Sequence, residues 1–369
     1  MIELAKPLIT HKEIKSLQSV LESGWLTHGP MANQLEQKLQ EKFAYKNVVL
    51  VSSGTAALHL MMLAANIGPG DEILVPAFTW VATANAVKYV GAKPVFVDID
   101  PKTYNIDPTL LTQSITTKTK GIIAVHLFGL CADISPIQSI CKEHNLMLFE
   151  DAACATGASY CDTHAGKFGL MSSFSLHPRK SITTGEGGYI TTESNKIAKK
   201  LRSLRNHGLV ANSKPMPPHF MNDVDILGYN YRISDLQAAV GLAQLDKLDE
   251  IISAKQTLID HYYEVLDNIP WLHLPTYDRS KYTHAWQAFV TFIDENKAPL
   301  NRNEIMMKLL DNEIMTRPGT QYLPGLSLYK NNGTFPHALS CYQHTISLPL
   351  HPLMDTNDIE HVATVLKTL

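Results

Sequence analysis

Ser172-Ser-Phe-Ser-Leu-His-Pro-Arg-Lys180-Ser-Ile-Thr-Thr-Gly-Glu-Gly-Gly188 sets a polar, glycine-rich turn between two short apolar runs, 173–176 and 188–192. Runs this short, bounded by turn-forming residues, read as strands. The lysine therefore lies on a connection at the end of a sheet. In open α/β folds that is where ligands bind.

Similar runs recur on the N-terminal side, at 48–52, 72–76, 94–99, 121–126 and 146–151. Several are nearly continuous in Val, Ile, Leu and Phe, as expected of strands buried on both faces by helices. Amphipathic stretches at 56–65, 80–90 and 136–144 lie between them, and Gly68, Gly70 and Gly91 punctuate their ends. Strand–helix alternation of this kind predicts an α/β fold with a large, mostly parallel sheet of seven strands. The pattern changes near Ile233. Ser234-Asp235 can cap a helix, and a periodic stretch over 236–266 reads as one long helix leaving the large domain. Strands at 286–292 and 346–348 and helices at 303–310 and 356–366 then predict a smaller C-terminal α+β domain. The expected division is 1–245 and 246–369. The segment 206–225, rich in Pro, Asn, His and Met, reads as a long functional loop.

Bulk composition narrows the function classes. The chain has 369 residues, 45% of them hydrophobic, enough for two domains. A net charge of −3 argues against a nucleic-acid partner. The five cysteines are odd in number and lack CxxC spacing, which argues for reduced thiols and against a metal site. No basic leader is followed by an apolar stretch, and no run of about 18 apolar residues exists. The expectation is a cytoplasmic protein with no membrane partner.

Three features carry chemistry. Lys180 offers an amine, which acts as a nucleophile only after losing its proton; neighbouring Arg179 is a cation that can assist, or can hold a phosphate or carboxylate. Asp151 ends the apolar run of Leu148-Phe-Glu-Asp151 and either caps the next helix or pairs with a cationic ring nitrogen. Glu150 points to the opposite face of the same strand. Gly54-Thr55-Ala56 opens a helix after a strand, where free N–H groups and the positive dipole end suit a phosphate. An imine-forming amine, a partner for a pyridinium nitrogen and a phosphate cradle are the parts that pyridoxal 5′-phosphate (PLP) requires. Trp80 follows a strand and can stack on a flat ring or fill a core.

In this order the motifs resemble the DegT-type sugar aminotransferases, a family of fold-type I PLP enzymes. The resemblance runs from Ser23-Gly-Trp-Leu-Thr-His-Gly-Pro30 to Ser347-Leu-Pro-Leu-His-Pro352, and is sharpest at 52–60, 150–155, 173–188 and 227–239. It implies that Lys180 is the imine-forming lysine and proton carrier, that Asp151 partners the pyridinium nitrogen, and that Thr55, Ala56 and Ser175 cradle the phosphate beside Gly54. Trp80 falls where the family places a ring over the cofactor. Asn230 and Arg232 fall in a segment that reaches the neighbouring subunit's cofactor, which implies a homodimer with shared active sites. Cys154 is a departure: family members often carry Gln or His there, and a thiol is a weak donor.

The family further implies L-glutamate as amino donor and a nucleotide-linked keto sugar, by default a 4-keto-6-deoxyhexose, as acceptor. The product would enter surface polysaccharide, lipopolysaccharide, glycan or antibiotic synthesis. Trp25, Thr27 and His28 border the substrate in the family, and His177, Arg179 and Arg317 are further candidates. Relatives with histidine in place of the lysine are dehydratases, so Lys180 favours transamination. The competing readings are a PLP-dependent sugar dehydratase or lyase, and a non-catalytic regulatory protein.

Overall fold

The computed structural model describes residues 1–209, 223–330 and 333–369. Seven strands form the large sheet: β1 (Asn47–Val51), β2 (Glu72–Pro76), β3 (Lys93–Val97), β4 (Thr119–Val125), β5 (Met147–Asp151), β6 (Met171–Ser175) and β7 (Gly188–Thr192). Their spatial order is β1-β7-β6-β5-β4-β2-β3. Every neighbouring pair is parallel except those made by β7, which runs against both β1 and β6. All seven expected strands are present. The sheet is mostly parallel because the strands connect through crossover helices.

Side-chain alternation divides the core into two layers. Val49, Val51, Ile73, Val75 and Ile123 face one layer, while Val48, Leu50, Leu74, Ile122 and Ala124 face the other. The strands read as continuous apolar runs because helices cover both faces. Helix Gly54–Ala64 is almost wholly buried, and Ser53 caps it by accepting from the Ala56 N–H at 3.0 Å.

A third cluster, including Tyr262, Trp286, Phe289 and Ile346, fills the C-terminal part. It lies against a four-stranded antiparallel sheet ordered Leu272–His273, Phe289–Ile293, Thr345–Leu348, Arg317–Pro318. Helices Arg302–Asp311 and Thr356–Lys367 match the two expected there. The chain's first residues join this part: Ile2 bridges Ile314, and the Leu350 N–H donates to the Leu4 carbonyl.

Several sequence-based expectations need correction. The helix expected over 236–266 is two, Asp235–Leu245 and Leu248–Leu266. Lys247 sits at the break, 4% exposed, with its ammonium on the Leu8 carbonyl, the Thr10 hydroxyl and the Glu13 carboxylate. The strand expected from 286 begins at Phe289, because Trp286 is left-handed (φ 45°) and its N–H is taken by His284 Nδ1 at 2.9 Å. Helices His11–Ser23, Pro30–Phe43 and Asn195–Arg205 were not anticipated. Of the expected loop 206–225, residues 210–222 lie outside the described residues.

Candidate active site

The C-terminal ends of β5 and β6, the first turn of helix Gly54–Ala64 and the segment after β6 converge on one cavity of about 360 Å³. Its wall includes Gly54, Thr55, Trp80, Asp151, Cys154 and Lys180. It lies outside the carboxyl ends of parallel strands, the usual ligand position in this class of sheet.

Lys180 is held by a tightly braced loop. Its N–H donates to the His177 carbonyl at 2.9 Å, and the Thr183 hydroxyl and Thr184 N–H both close onto the Leu176 carbonyl. From outside, Gln287 Nε2 donates to the Arg179 carbonyl at 3.0 Å and Gln237 Nε2 to the Glu186 carbonyl at 2.7 Å. Lys180 Nζ lies 3.1 Å from Cys154 Sγ. Cys154 is therefore in direct contact with the amine.

Asp151 and Glu150 have separate environments, as the pleat requires. Asp151 is 5% exposed and aimed at the cavity. Its Oδ2 accepts from the Thr83 hydroxyl at 2.7 Å, and its Oδ1 from the Ala153 N–H at 3.2 Å. Glu150 is fully buried on the other face and accepts from His126 Nε2, three backbone N–H groups and the Ser172 hydroxyl. Burial pushes its carboxyl up, but these donors, His126 first, hold it below the ordinary carboxylate range.

The phosphate expectation can be tested on the backbone. A Cβ at Gly54 would lie 3.0 Å from the Ser175 Cβ, and one at Gly188 would lie 2.7 Å from the Gly54 nitrogen. The helix start is thus pressed against β6 and β7 without side chains between. Among the described residues the N–H groups of Gly54 and Thr55 have no acceptor. An 11-residue helix with its first donors free and Ser175 alongside fits a phosphate.

Trp80 lines the cavity at 58% exposure, its position fixed by the Val81 N–H donating to Gln321 Oε1 at 3.0 Å. His177, Arg179 and Arg317 also line it. Burial, then the charges of Lys180 and Arg179, hold the His177 imidazole below its usual range against the pull of Glu186. Arg317 is lowered by burial and by Arg179, and its Nε has no partner among the described residues.

The remaining expected residues lie elsewhere. Trp25, Thr27 and His28 are not in the cavity wall; Asp235 anchors their segment by accepting from the Gly29, Met31 and Ala32 N–H groups. Ala56, expected in the phosphate cradle, is buried in the helix start and does not line the cavity, and its N–H is taken by the Ser53 hydroxyl. Arg232 reaches Asn206 Oδ1 at 2.6 Å, and Asn230 bridges Asn206; neither lines this chain's cavity. The sequence reading missed Thr83, Gln287, Glu186 and Thr320. Thr83 carried one signal, its place one turn beyond Trp80, but its partner is 68 residues away.

Comparison with known proteins is consistent with this geometry. The family model of the DegT/DnrJ/EryC1/StrS aminotransferase family matches residues 7–367. The chain is 35% identical over 374 residues to the spore coat polysaccharide biosynthesis protein SpsC of Bacillus subtilis, covering 98% of this chain and 95% of that protein. Solved structures superpose along the whole chain. The PMP form of Spr1654 from Streptococcus pneumoniae has a TM-score of 0.94 at 29% identity, covering 100% of this chain and 98% of that one. PseC of Helicobacter pylori, an aminotransferase involved in the biosynthesis of pseudoaminic acid, has a TM-score of 0.93 at 26% identity, with the same coverage. The chain belongs to the DegT/DnrJ/EryC1/StrS aminotransferase family. It is a PLP-dependent sugar aminotransferase.

Proposed function

We propose that this member of the DegT/DnrJ/EryC1/StrS family moves an amino group from L-glutamate to a nucleotide-linked keto sugar, a 4-keto-6-deoxyhexose. The product feeds surface polysaccharide or glycan biosynthesis. The observation that carries the reading is the convergence of Lys180, Asp151 and the bare helix start at Gly54 in one cavity. The sugar pathway rests on likeness to SpsC and PseC. Among the described residues no helix is long and apolar enough to cross a membrane, in keeping with a cytoplasmic enzyme.

The residues divide the work. Gly54, Thr55 and Ser175 hold the phosphate, Trp80 covers the ring, and Asp151 keeps a cationic ring nitrogen paired. When bound, PLP supplies an electron sink for the carbon that loses its proton. Lys180 holds the cofactor through its amine and carries a proton at Nζ. Cys154 Sγ, 3.1 Å away, orients that amine. Arg179 and Arg317 line the cavity, and no ion pair occupies either among the described residues. We assign them to the donor's carboxylate, for which arginine's fork of donors is suited. Arg317→Met is expected to raise the KM for glutamate about 10- to 100-fold, with a smaller change in kcat and in the KM for the keto sugar. Equal effects on both substrates would remove the assignment.

Asn230 and Arg232 act across a homodimer interface, and Trp25, Thr27 and His28 border the substrate. Their support is geometric: they lie outside this chain's own cavity, and Trp25 and Leu227 are 57% and 83% exposed. We retain the division of the chain at 245/246 as part of this proposal.

The test is the absorbance spectrum of the purified protein with and without L-glutamate. Bleaching of a yellow protein by glutamate, and recovery of colour on adding a nucleotide-linked keto sugar, is the expected result. Indifference to glutamate would reject the donor. Bleaching that no keto sugar reverses would reject the acceptor.

A further inference from the structure

The segment that carries Lys180 also borders a second space. A cavity of about 10 Å³ lies beside it, with Lys6, Arg179, Lys180, Ser181, Lys255 and His351 in its wall. Among the described residues no carboxylate lines it. Lys6 is paired with Glu3, but a buried cation left without an acid is costly unless something balances it.

Lys255 is the sharpest case. It lies on helix Leu248–Leu266, is 4% exposed, and makes no hydrogen bond or ion pair with any described residue. Burial alone lowers its ammonium, to about 8. The acids in this region are committed elsewhere. Glu13 binds Lys247, Gln244 and the Thr10 N–H, and Glu3 binds Lys6. Ser181, also 4% exposed, presents a hydroxyl with no partner among the described residues. Ser181 Oγ is thus buried without a partner beside a cation, in a space that no carboxylate lines among the described residues.

The size of the space limits the ligand. About 10–15 Å³ is what a single water-sized body needs, so a nucleotide, a sugar or a carboxylic acid does not fit. We propose that this cavity is a monovalent-anion site that takes one halide ion, held by Lys255 Nζ and Ser181 Oγ. The ion neutralises Lys255 and braces the segment 178–181 on the side away from the substrate. It shares Arg179 and Lys180 with the wall of the amino-transfer cavity, and it does not depend on which sugar that cavity accepts.

The test uses the PLP-loaded protein. Crystals soaked in sodium bromide are expected to show an anomalous peak within hydrogen-bond distance of Lys255 Nζ and Ser181 Oγ. A water, or no peak, at that place overturns the proposal. In solution, bromide replaces gluconate at constant ionic strength while the melting temperature is followed. Wild type is expected to gain about 2 °C in a saturable curve. Lys255→Met is expected to lose the saturable part, and Ser181→Ala to move its midpoint about 10-fold higher. A Lys255→Met protein with the wild-type curve would also overturn it. If that variant does not fold, the bromide peak in wild type decides.

Discussion

Replacing Lys180 with alanine is expected to lower kcat by at least about 10⁴-fold while leaving the fold intact. Among the described residues the lysine is the only amine lining the cavity, and it would both hold the cofactor covalently and carry the proton. Its removal costs the structure little. Among the described residues Nζ makes one hydrogen bond, to Cys154 Sγ, and the loop stays closed through the Thr183, Thr184, Gln237 and Gln287 hydrogen bonds. The melting temperature and far-UV circular dichroism of the variant should therefore match wild type, and the visible absorbance of covalently held cofactor should be gone. Lys180→Arg keeps a positive charge but cannot shed its proton near neutral pH, so it should be equally inactive. Turnover above about 1% of wild type in either variant would sink the assignment of Lys180.

The parts of this site that sequence exposed share a feature: each is local. Lys180, Asp151 and Gly54 sit at the ends of apolar runs, and a run's end in a parallel sheet is a place in space as well as in sequence. The seven strands were legible for the same reason, since burial on both faces makes them continuous. What was not legible depends on distant partners. Lys247 breaks a helix because Leu8, Thr10 and Glu13 receive its ammonium, and nothing between 236 and 266 records that. Helices His11–Ser23 and Pro30–Phe43 are polar on much of their surface, so their apolar faces are narrow. Asn230 and Arg232 carry a resemblance, but their positions outside this chain's cavity show why spacing alone could not place them. Cys154 is the intermediate case. Its residue type was visible as a departure, while its contact with the amine required the fold to bring residues 26 apart together.

Asp151→Asn is expected to lower kcat about 10²- to 10³-fold and to weaken cofactor binding. The amide keeps the shape and removes the charge. That matters here because the carboxylate is 5% exposed and water cannot replace it as counter-ion. Among the described residues two of its acceptor sites are used, one by the Thr83 hydroxyl and one by the Ala153 N–H. An ionised carboxylate can accept about four hydrogen bonds, so capacity remains for a cationic partner in the cavity. Thr83 provides the graded comparison. It is fully buried, and its hydroxyl also lies 3.4 Å from that of Thr79, so it is a positioning residue that orients Asp151. Thr83→Val should cost about 10-fold in kcat with cofactor affinity nearly unchanged, because the charge stays while its aim is loosened. The order Lys180→Ala, Asp151→Asn, Thr83→Val in decreasing severity separates the roles. If Asp151→Asn bound cofactor as tightly as wild type and lost no more rate than Thr83→Val, the carboxylate's charge would be irrelevant and Asp151 would only cap the turn at Ala153.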